Sequence, residues 1–381
     1  MLKLKKHYKG GSRLRFLLFS VSIGAGHDSA ARAISEELIL RMPDAKIETI
    51  DTFKYINSVL NKVIVESYMD TLRFTPKVWG YLYEQSEQKT AFVDIGQLFN
   101  RLLSAKLEKL INDYNADLIF CTHAFPAGII SALKAKSGLK TPVICVVTDY
   151  TIHRLWIHEH CDLYTIASPL LNDEGIQQGI PAEKIYPLGI PIKPCFGDFI
   201  SKEDARTRLG LFDKLTLLVM GGGLGLGSII NIVQVMESSE IDCQIIVVCG
   251  NNDKLRNKLK IFENNPNIKV YSFVNNMHEI MSAADLLITK PGGLTTAEAL
   301  AKGLPMIIVN PLPGQEARNT SFLLNAGVAA KVNFETELPI VLKQILNNPI
   351  RIPQMKEMAK YLGKPQAVKE IVDLALTKLG G

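Results

Sequence analysis

What most constrains this chain is a steady alternation of short, β-branched apolar runs with stretches patterned for helix. In the first half the runs fall at 15–21, 46–50, 118–121, 142–147 and 163–167. In the second half they fall at 215–220, 244–249, 268–272, 286–289, 306–309 and 328–332. Helix-like segments lie between them, at 29–40, 128–136, 228–236 and 295–301. Parallel strands need long crossover connections, so this order predicts an α/β fold with parallel sheets. Two such series predict two doubly wound domains. A chain of 381 residues suits them, because single cores stop growing at about 250–300 residues. Pro181, Pro187, Pro191 and Pro194 cluster at the segment YPLGIPIKPCFGDF, 186–199, and deny it regular structure. The first domain is therefore set at 1–195 and the second at 196–365. The last segment, 366–381, carries Val368, Ile371, Val372, Leu374, Leu376 and Leu379 at amphipathic helical spacing.

Composition excludes several classes. Hydrophobic residues make up 47% and charged residues 21%, which supplies two cores and argues against disorder. The net charge of +5 is too mild to imply nucleic acid. Cys121, Cys145, Cys161, Cys195, Cys243 and Cys249 form no CxxC pair. They are expected as free thiols, several of them buried in strands, in a reducing cytoplasm. The uncharged stretch 215–236 is long enough to span a bilayer. Its glycines at 221–223, 225 and 227, with Asn231 and Gln234, instead predict a strand, a loop and a helix start. Lys3, Lys5, Lys6, Lys9, Arg13 and Arg15 precede the first acidic residue, Asp28. They are read as a solvated tail or as a dock for anionic lipid, and no secretory cleavage pattern follows.

Three glycine-bearing turns carry the chemistry. The first, FSVSIGAGHDSAARAI at 19–34, passes from strand to helix through Gly24 and Gly26. Its helix start offers free N–H groups and a positive dipole end. His27 sits at its mouth, where open α/β sheets bind ligands. Read from residues alone, His27 is either a general base or a polar cap on a turn. The spacing Gly24-x-Gly26-x-x-Ser29, with Asp51 ending the next strand, also leaves a dinucleotide site open. The second turn, VMGGGLGLGSI at 219–229, lacks the lysine–hydroxyl ending of a Walker loop. It is either a cradle for a phosphate or acceptor, or a loop packed against the interdomain cleft.

The third site is the most specific. A strand at 286–289 ends in Lys290-Pro291-Gly292-Gly293, and a helix follows whose start suits a diphosphate. Glu298 lies roughly 8 Å further along that helix, an offset that fits a carboxylate on a ribose diol. The alternative is a glutamate facing solvent. Beyond the strand at 306–309, the loop PLPGQE delivers Gln315, Glu316 and Asn319, whose groups can read sugar hydroxyls.

These residues carry a resemblance. PGGLTTAEAL followed by PLPGQEARN resembles the nucleotide-sugar site of glycosyltransferase family 28. SIGAGHDSAARAI resembles the N-terminal signature of its monogalactosyldiacylglycerol synthase and processive diacylglycerol glucosyltransferase branch, as do VVTDYTIHRLWIHEHCDLYTIAS and GIPAEKIYPLGIPI. The resemblance runs in order from about Arg15 to Ala330. It implies a GT-B fold, two Rossmann-like domains facing across a cleft, with the C-terminal helix crossing back to the first. It implies donor binding by Gly221, Gly222, Gly223, Phe273, Val274, Gly292, Gly293, Thr295, Glu298, Gln315, Glu316 and Asn319. It places His27 as catalytic base, with Gly26, Asp149, His153 and Trp156 on the acceptor side. One departure is GAGH where plant members have GGGH, which Ala25 tolerates only if it avoids positive φ.

The implied reaction is inverting transfer of glucose or galactose from a UDP-sugar to diacylglycerol, at the inner face of the cell membrane. No cofactor or metal is expected, and His153, His158, His160 and Glu159 lack a flanking ligand set. The segment 53–110 mixes aromatic and basic residues. It reads as an acceptor-side surface toward an anionic membrane, or as packed helices. The alternatives are an N-acetylglucosaminyltransferase acting on a lipid-linked peptidoglycan precursor, a UDP-sugar epimerase, and a non-catalytic UDP-sugar sensor.

Overall fold

The computed structural model describes residues 13–22, 26–56, 80, 105–223, 225 and 227–380. They build two six-stranded, all-parallel sheets. The first holds β1 (Arg15–Ser20), β2 (Lys46–Asp51), β3 (Leu118–Cys121), β4 (Val143–Val146), β5 (Leu163–Thr165) and β6 (Ile185–Tyr186), in the order β2-β1-β3-β4-β5-β6. The second holds β7 (Thr216–Met220), β8 (Gln244–Val248), β9 (Ile268–Tyr271), β10 (Leu286–Thr289), β11 (Met306–Val309) and β12 (Ala329–Val332), in the order β12-β11-β10-β7-β8-β9. The expected strands are all present, most of them a residue or two shorter. β6 was not anticipated, because two residues at a proline-rich edge are too few to show a period.

The strands are apolar throughout because both faces of a parallel sheet are covered. In β1, Phe16 and Leu18 join one core cluster while Leu17 and Phe19 join another, as a period of two requires. The last helix, Ala367–Gly380, buries Val368, Ile371, Val372 and Ala375 against Phe16 and Leu18. That spacing of i, i+3, i+4 and i+7 is one helical face, and each large side chain contributes roughly 1.5–3 kcal/mol. The chain thus returns to the first sheet, and Arg41 on the helix Gly26–Arg41 fastens it by ion pairing with Asp373. The two crossings between sheets lie side by side. A Cβ at Gly189 would stand 2.5 Å from the Cβ of Lys364, and one at Gly197 would stand 3.3 Å from Pro365.

Residues 215–236 form β7, a glycine loop and the start of the helix Ile229–Glu237. Among the described residues no helix is long and apolar enough to cross a membrane.

Each sheet reverses its strand order once, in the first between β1 and β3 and in the second between β7 and β10. Such switch points open a crevice at the carboxyl ends of the strands, where ligands bind. His27 follows β1 and His123 follows β3. The glycine loop follows β7 and Lys290–Gly293 follows β10. The fold therefore sets the first and third turns at reversal points of opposite sheets.

Candidate active site

On the first sheet the site is built around His27, in the first turn of the helix Gly26–Arg41. Its Nδ1 lies 2.8 Å from the carbonyl of Thr122 and 2.9 Å from the hydroxyl of Thr148. A carbonyl only accepts, so Nδ1 carries the proton and Nε2 is left as the basic nitrogen. The neighbouring Asp28 fixes the turn by accepting from the hydroxyls of Ser20 and, at 2.7 Å, Ser22. His123 meets the His27 ring edge-on, with centroids 4.6 Å apart. Its Nδ1 accepts from Phe125 N at 3.1 Å, capping the helix Ala124–Ser137. Burial, reinforced by His27, holds the His123 imidazole well below its ordinary range. His123 therefore stays neutral.

On the second sheet the glycine loop leaves β7 through Gly221, Gly222 and Gly223, all partly exposed. Gly222 has φ +67, a left-handed conformation suited to glycine. The loop packs on a second glycine turn after β8, where a Cβ at Gly250 would stand 2.4 Å from Gly223 O. Asn252 donates to Gly225 O at 3.0 Å and locks the two turns together. Phe273 and Val274 follow β9, with the Phe273 side chain 56% exposed and available to a planar ligand.

Gly292 caps the helix Gly293–Ala301. The first intrahelical bond runs from Thr296 N to Gly292 O at 2.9 Å. The amides of Gly293, Leu294 and Thr295 are thus the free N–H groups of that end. Lys290 passes 3.3 Å from where a Gly227 Cβ would be, and its Nζ ends 4.0 Å from Glu316. It gives the site a cation beside the glycines of the turn. Glu298 faces Lys193, and burial pushes its carboxyl up to about 8 despite that positive neighbour. Burial also raises Glu316, which accepts from Leu312 N at 2.6 Å. Gln315 opens the helix Gln315–Asn325 behind Gly314, at φ 89. Asn310 holds φ 45 just after β11, a strained backbone of the kind that collects at ligand edges. Its amide donates to Glu335 at 2.6 Å.

The two sheets meet here. A Cβ at Gly26 would lie 3.9 Å from Leu294, and one at Gly293 would fall 1.8 Å from Thr148 O. Asn319 is completely buried and spans the same gap. Its amide donates to Asp149 Oδ1 at 3.1 Å and to Pro291 O at 2.9 Å, and accepts from Tyr150 N at 2.9 Å. The structure thus brings His27, Gly26, Asp149, Gly292, Gly293, Glu316 and Asn319 to one cleft. His153 and Trp156 are buried in the first domain, where His153 accepts from Leu155 N at 3.1 Å. Among the described residues no three His, Cys, Asp or Glu side chains converge as a metal site. Gly24, Ala25 and nearly all of 57–104 lie outside the described residues. Gly80 is described, and a Cβ there would stand 2.4 Å from Pro313 of the PLPGQE loop.

Thr122, His123, Thr148 and Gly250 escaped the sequence reading. The signal that finds them is position, since each lies just beyond the carboxyl end of β3, β4 or β8, at or beside a switch point.

Comparison with known proteins adds two family matches. Residues 27–192 match the monogalactosyldiacylglycerol (MGDG) synthase family, and residues 216–373 match the glycosyltransferase family 28 C-terminal domain. A Bacillus cereus protein named processive diacylglycerol beta-glucosyltransferase is 29% identical over 96% of this chain and 94% of its own length. The structure of Acinetobacter baumannii MurG superposes with a TM-score of 0.56 at 17% identity, covering 95% of this chain and 99% of MurG. Anabaena HepE in complex with UDP gives 0.57 at 13% identity, covering 96% and 100%. These structural likenesses establish the GT-B fold.

Proposed function

We propose, for a chain that belongs to glycosyltransferase family 28 and its monogalactosyldiacylglycerol synthase branch, the transfer of glucose or galactose from a UDP-sugar to the hydroxyl of diacylglycerol. The observation that carries this reading is the posture of His27. Its Nδ1 proton is committed to Thr122 O, and its turn lies against the first residues of the helix Gly293–Ala301. A base held by a carbonyl on one nitrogen presents the other in its acceptor form.

In this reading the acceptor oxygen attacks the anomeric carbon from the face opposite UDP. The new C–O bond forms as the bond to the β-phosphate oxygen breaks, and the acceptor proton passes to His27 Nε2. The configuration at the anomeric carbon inverts. Charge on the departing diphosphate is met by the free amides at Gly293–Thr295 and by Lys290, groups already oriented before reaction. Glu298, neutral while buried, holds the ribose diol, and Gln315 and Glu316 read sugar hydroxyls. The reading assigns no role to a metal or cofactor. A lipid acceptor places the reaction at a membrane surface.

The test is a panel of UDP-glucose, UDP-galactose and UDP-N-acetylglucosamine with diacylglycerol in mixed micelles, scored by product mass and UDP release. A glycolipid of added hexose mass, with UDP released only when diacylglycerol is present, is expected. UDP release without acceptor, or product only from N-acetylglucosamine and a lipid-linked peptidoglycan precursor, overturns it.

A further inference from the structure

Three consecutive residues after β4 touch both halves of the site. The Thr148 hydroxyl oxygen lies 2.9 Å from the protonated His27 Nδ1 and accepts from it, while the Thr148 carbonyl stands so close to Gly293 that any Cβ there would collide at 1.8 Å. Asp149, 6% exposed, directs Oδ1 at the Asn319 amide. Tyr150 donates its backbone N–H to the Asn319 carbonyl, and its ring packs on Phe322 with centroids 5.1 Å apart. Every polar position on the Asn319 amide that faces this gap is used. One N–H serves the first domain, the other serves Pro291 on the loop that starts the donor helix, and the oxygen returns to the first domain.

An amide this fully satisfied and buried has little left for a sugar hydroxyl. A new bond to a substrate would require breaking one of these, leaving a buried carbonyl or carboxylate unmatched. The amide is instead in register with two distances that matter for transfer. Through Pro291 it sets the height of the Gly293 helix end, and through Asp149 and Tyr150 it sets the strand end whose Thr148 holds the base.

We propose that Asn319 is a positioning residue. It latches the donor helix to the strand end that orients His27, so that base and donor are held at one spacing by the Asp149–Asn319 contact. The proposal rests on reading His27 as the base and the Gly293 helix as the donor anchor. It reassigns Asn319 from sugar reading to domain alignment.

The experiment is a double-mutant cycle on kcat and on UDP affinity, using Asn319→Ala, Asp149→Ala, the pair, and the swap Asn319→Asp with Asp149→Asn. His27→Ala runs beside it as the control for the underlying reading. A charge-assisted hydrogen bond corresponds to about ten- to hundredfold, so each single variant is expected to lose that much kcat. The UDP dissociation constant should move by less than about threefold, and the double variant should lose little more than either single, because one contact is lost in all three. The swap restores an amide–carboxylate pair and is expected to recover part of kcat. Losses that multiply, or a rise in UDP-sugar KM with kcat unchanged, overturn the latch in favour of separate roles. If Asn319→Ala does not fold, isosteric Asp149→Asn decides. A kcat loss of about three- to tenfold with unchanged UDP affinity supports the latch, and unchanged kcat sinks it. A His27→Ala enzyme at full turnover would remove the base reading and leave the coupling measurement standing as a domain contact.

Discussion

The two switch points occupy equivalent places in two similar sheets, yet their chemistry is opposite. The first, at β1 and β3, is proposed to handle a proton, with two imidazoles in edge contact, a carbonyl and one hydroxyl both placed on His27 Nδ1, and Asp28 bracing the turn. The second, at β7 and β10, is the proposed anion site, made from backbone, with glycine turns, helix amides outside the intrahelical ladder and Lys290. A strand–turn–helix offers the same dipole and free amides in both. What differs is who occupies the mouth of the turn. Where His27 stands, the helix start serves a side chain. Where Gly292 and Gly293 stand, it is open to a ligand or to the opposite domain.

The largest effect should come from removing the proton acceptor. His27→Ala is expected to lower kcat by about 10²–10⁴, the usual worth of a positioned general base. The UDP dissociation constant, measured by calorimetry, should stay within about threefold, because the anion site lies on the other sheet. Full turnover in that variant would erase the functional contrast between the two turns.

Next is the point where the two turns touch. Gly293→Ala puts a methyl where Thr148 O already stands, so one domain must yield. Overpacking of this kind costs about 1–3 kcal/mol. A tenfold or greater loss of kcat is expected, with a lower melting temperature by differential scanning calorimetry. An unchanged melting temperature and rate would show that the domains do not close on this contact in solution.

Glu298 links the anion site to pH. Its carboxyl is raised to about 8 by burial, while in the unfolded chain it titrates near 4.3. Between those values the native state holds a proton that the unfolded state has released, so the unfolded state binds fewer and stability falls as pH rises. That penalty is absent below about pH 4 and complete above about pH 8. Glu298→Gln is therefore expected to melt higher than the parent at pH 7.5, with the gain shrinking toward pH 5. In the same variant UDP binding should weaken about tenfold, a modest sum of ribose hydrogen bonds. A variant that gains no stability at pH 7.5 would show that the native carboxylate is ionised there.

Much of this contrast was legible in the residues, but unevenly. The strands and the glycine turns showed because apolar period and glycine punctuation are local properties. His27 and the Lys290–Gly293 turn followed from rules about strand ends. What stayed hidden depends on distance in three dimensions. Nothing in Thr148 or Asn319 as isolated letters says that one meets His27 and the other meets Asp149, 121 and 170 positions away respectively. The resemblance pointed Asn319 toward sugar, and only the packed domains reveal that its amide is already engaged. Gly250 was invisible for a similar reason, since its need for glycine comes from Gly223 O and a φ of +59.

The smallest expected effect is also the finest test of the comparison, because Gly292 and Gly293 are adjacent and identical in the sequence. Gly292 has φ −67, which any residue adopts, and nothing lies within 4 Å of the position its Cβ would take. Gly292→Ala should leave the fold intact. Alanine is a poorer N-cap than glycine by up to about 1 kcal/mol, and the loss of unfolded-state freedom, about 0.4–1 kcal/mol, offsets most of it. The side chain would project into the space where the proposed diphosphate sits, so UDP affinity reports how near the ligand approaches. A change within about threefold would place the phosphates on the amides of Gly293–Thr295 and off the Gly292 Cα. A loss beyond tenfold with an unchanged melting temperature would mean that Gly292 is glycine for the ligand, as Gly293 is glycine for Thr148.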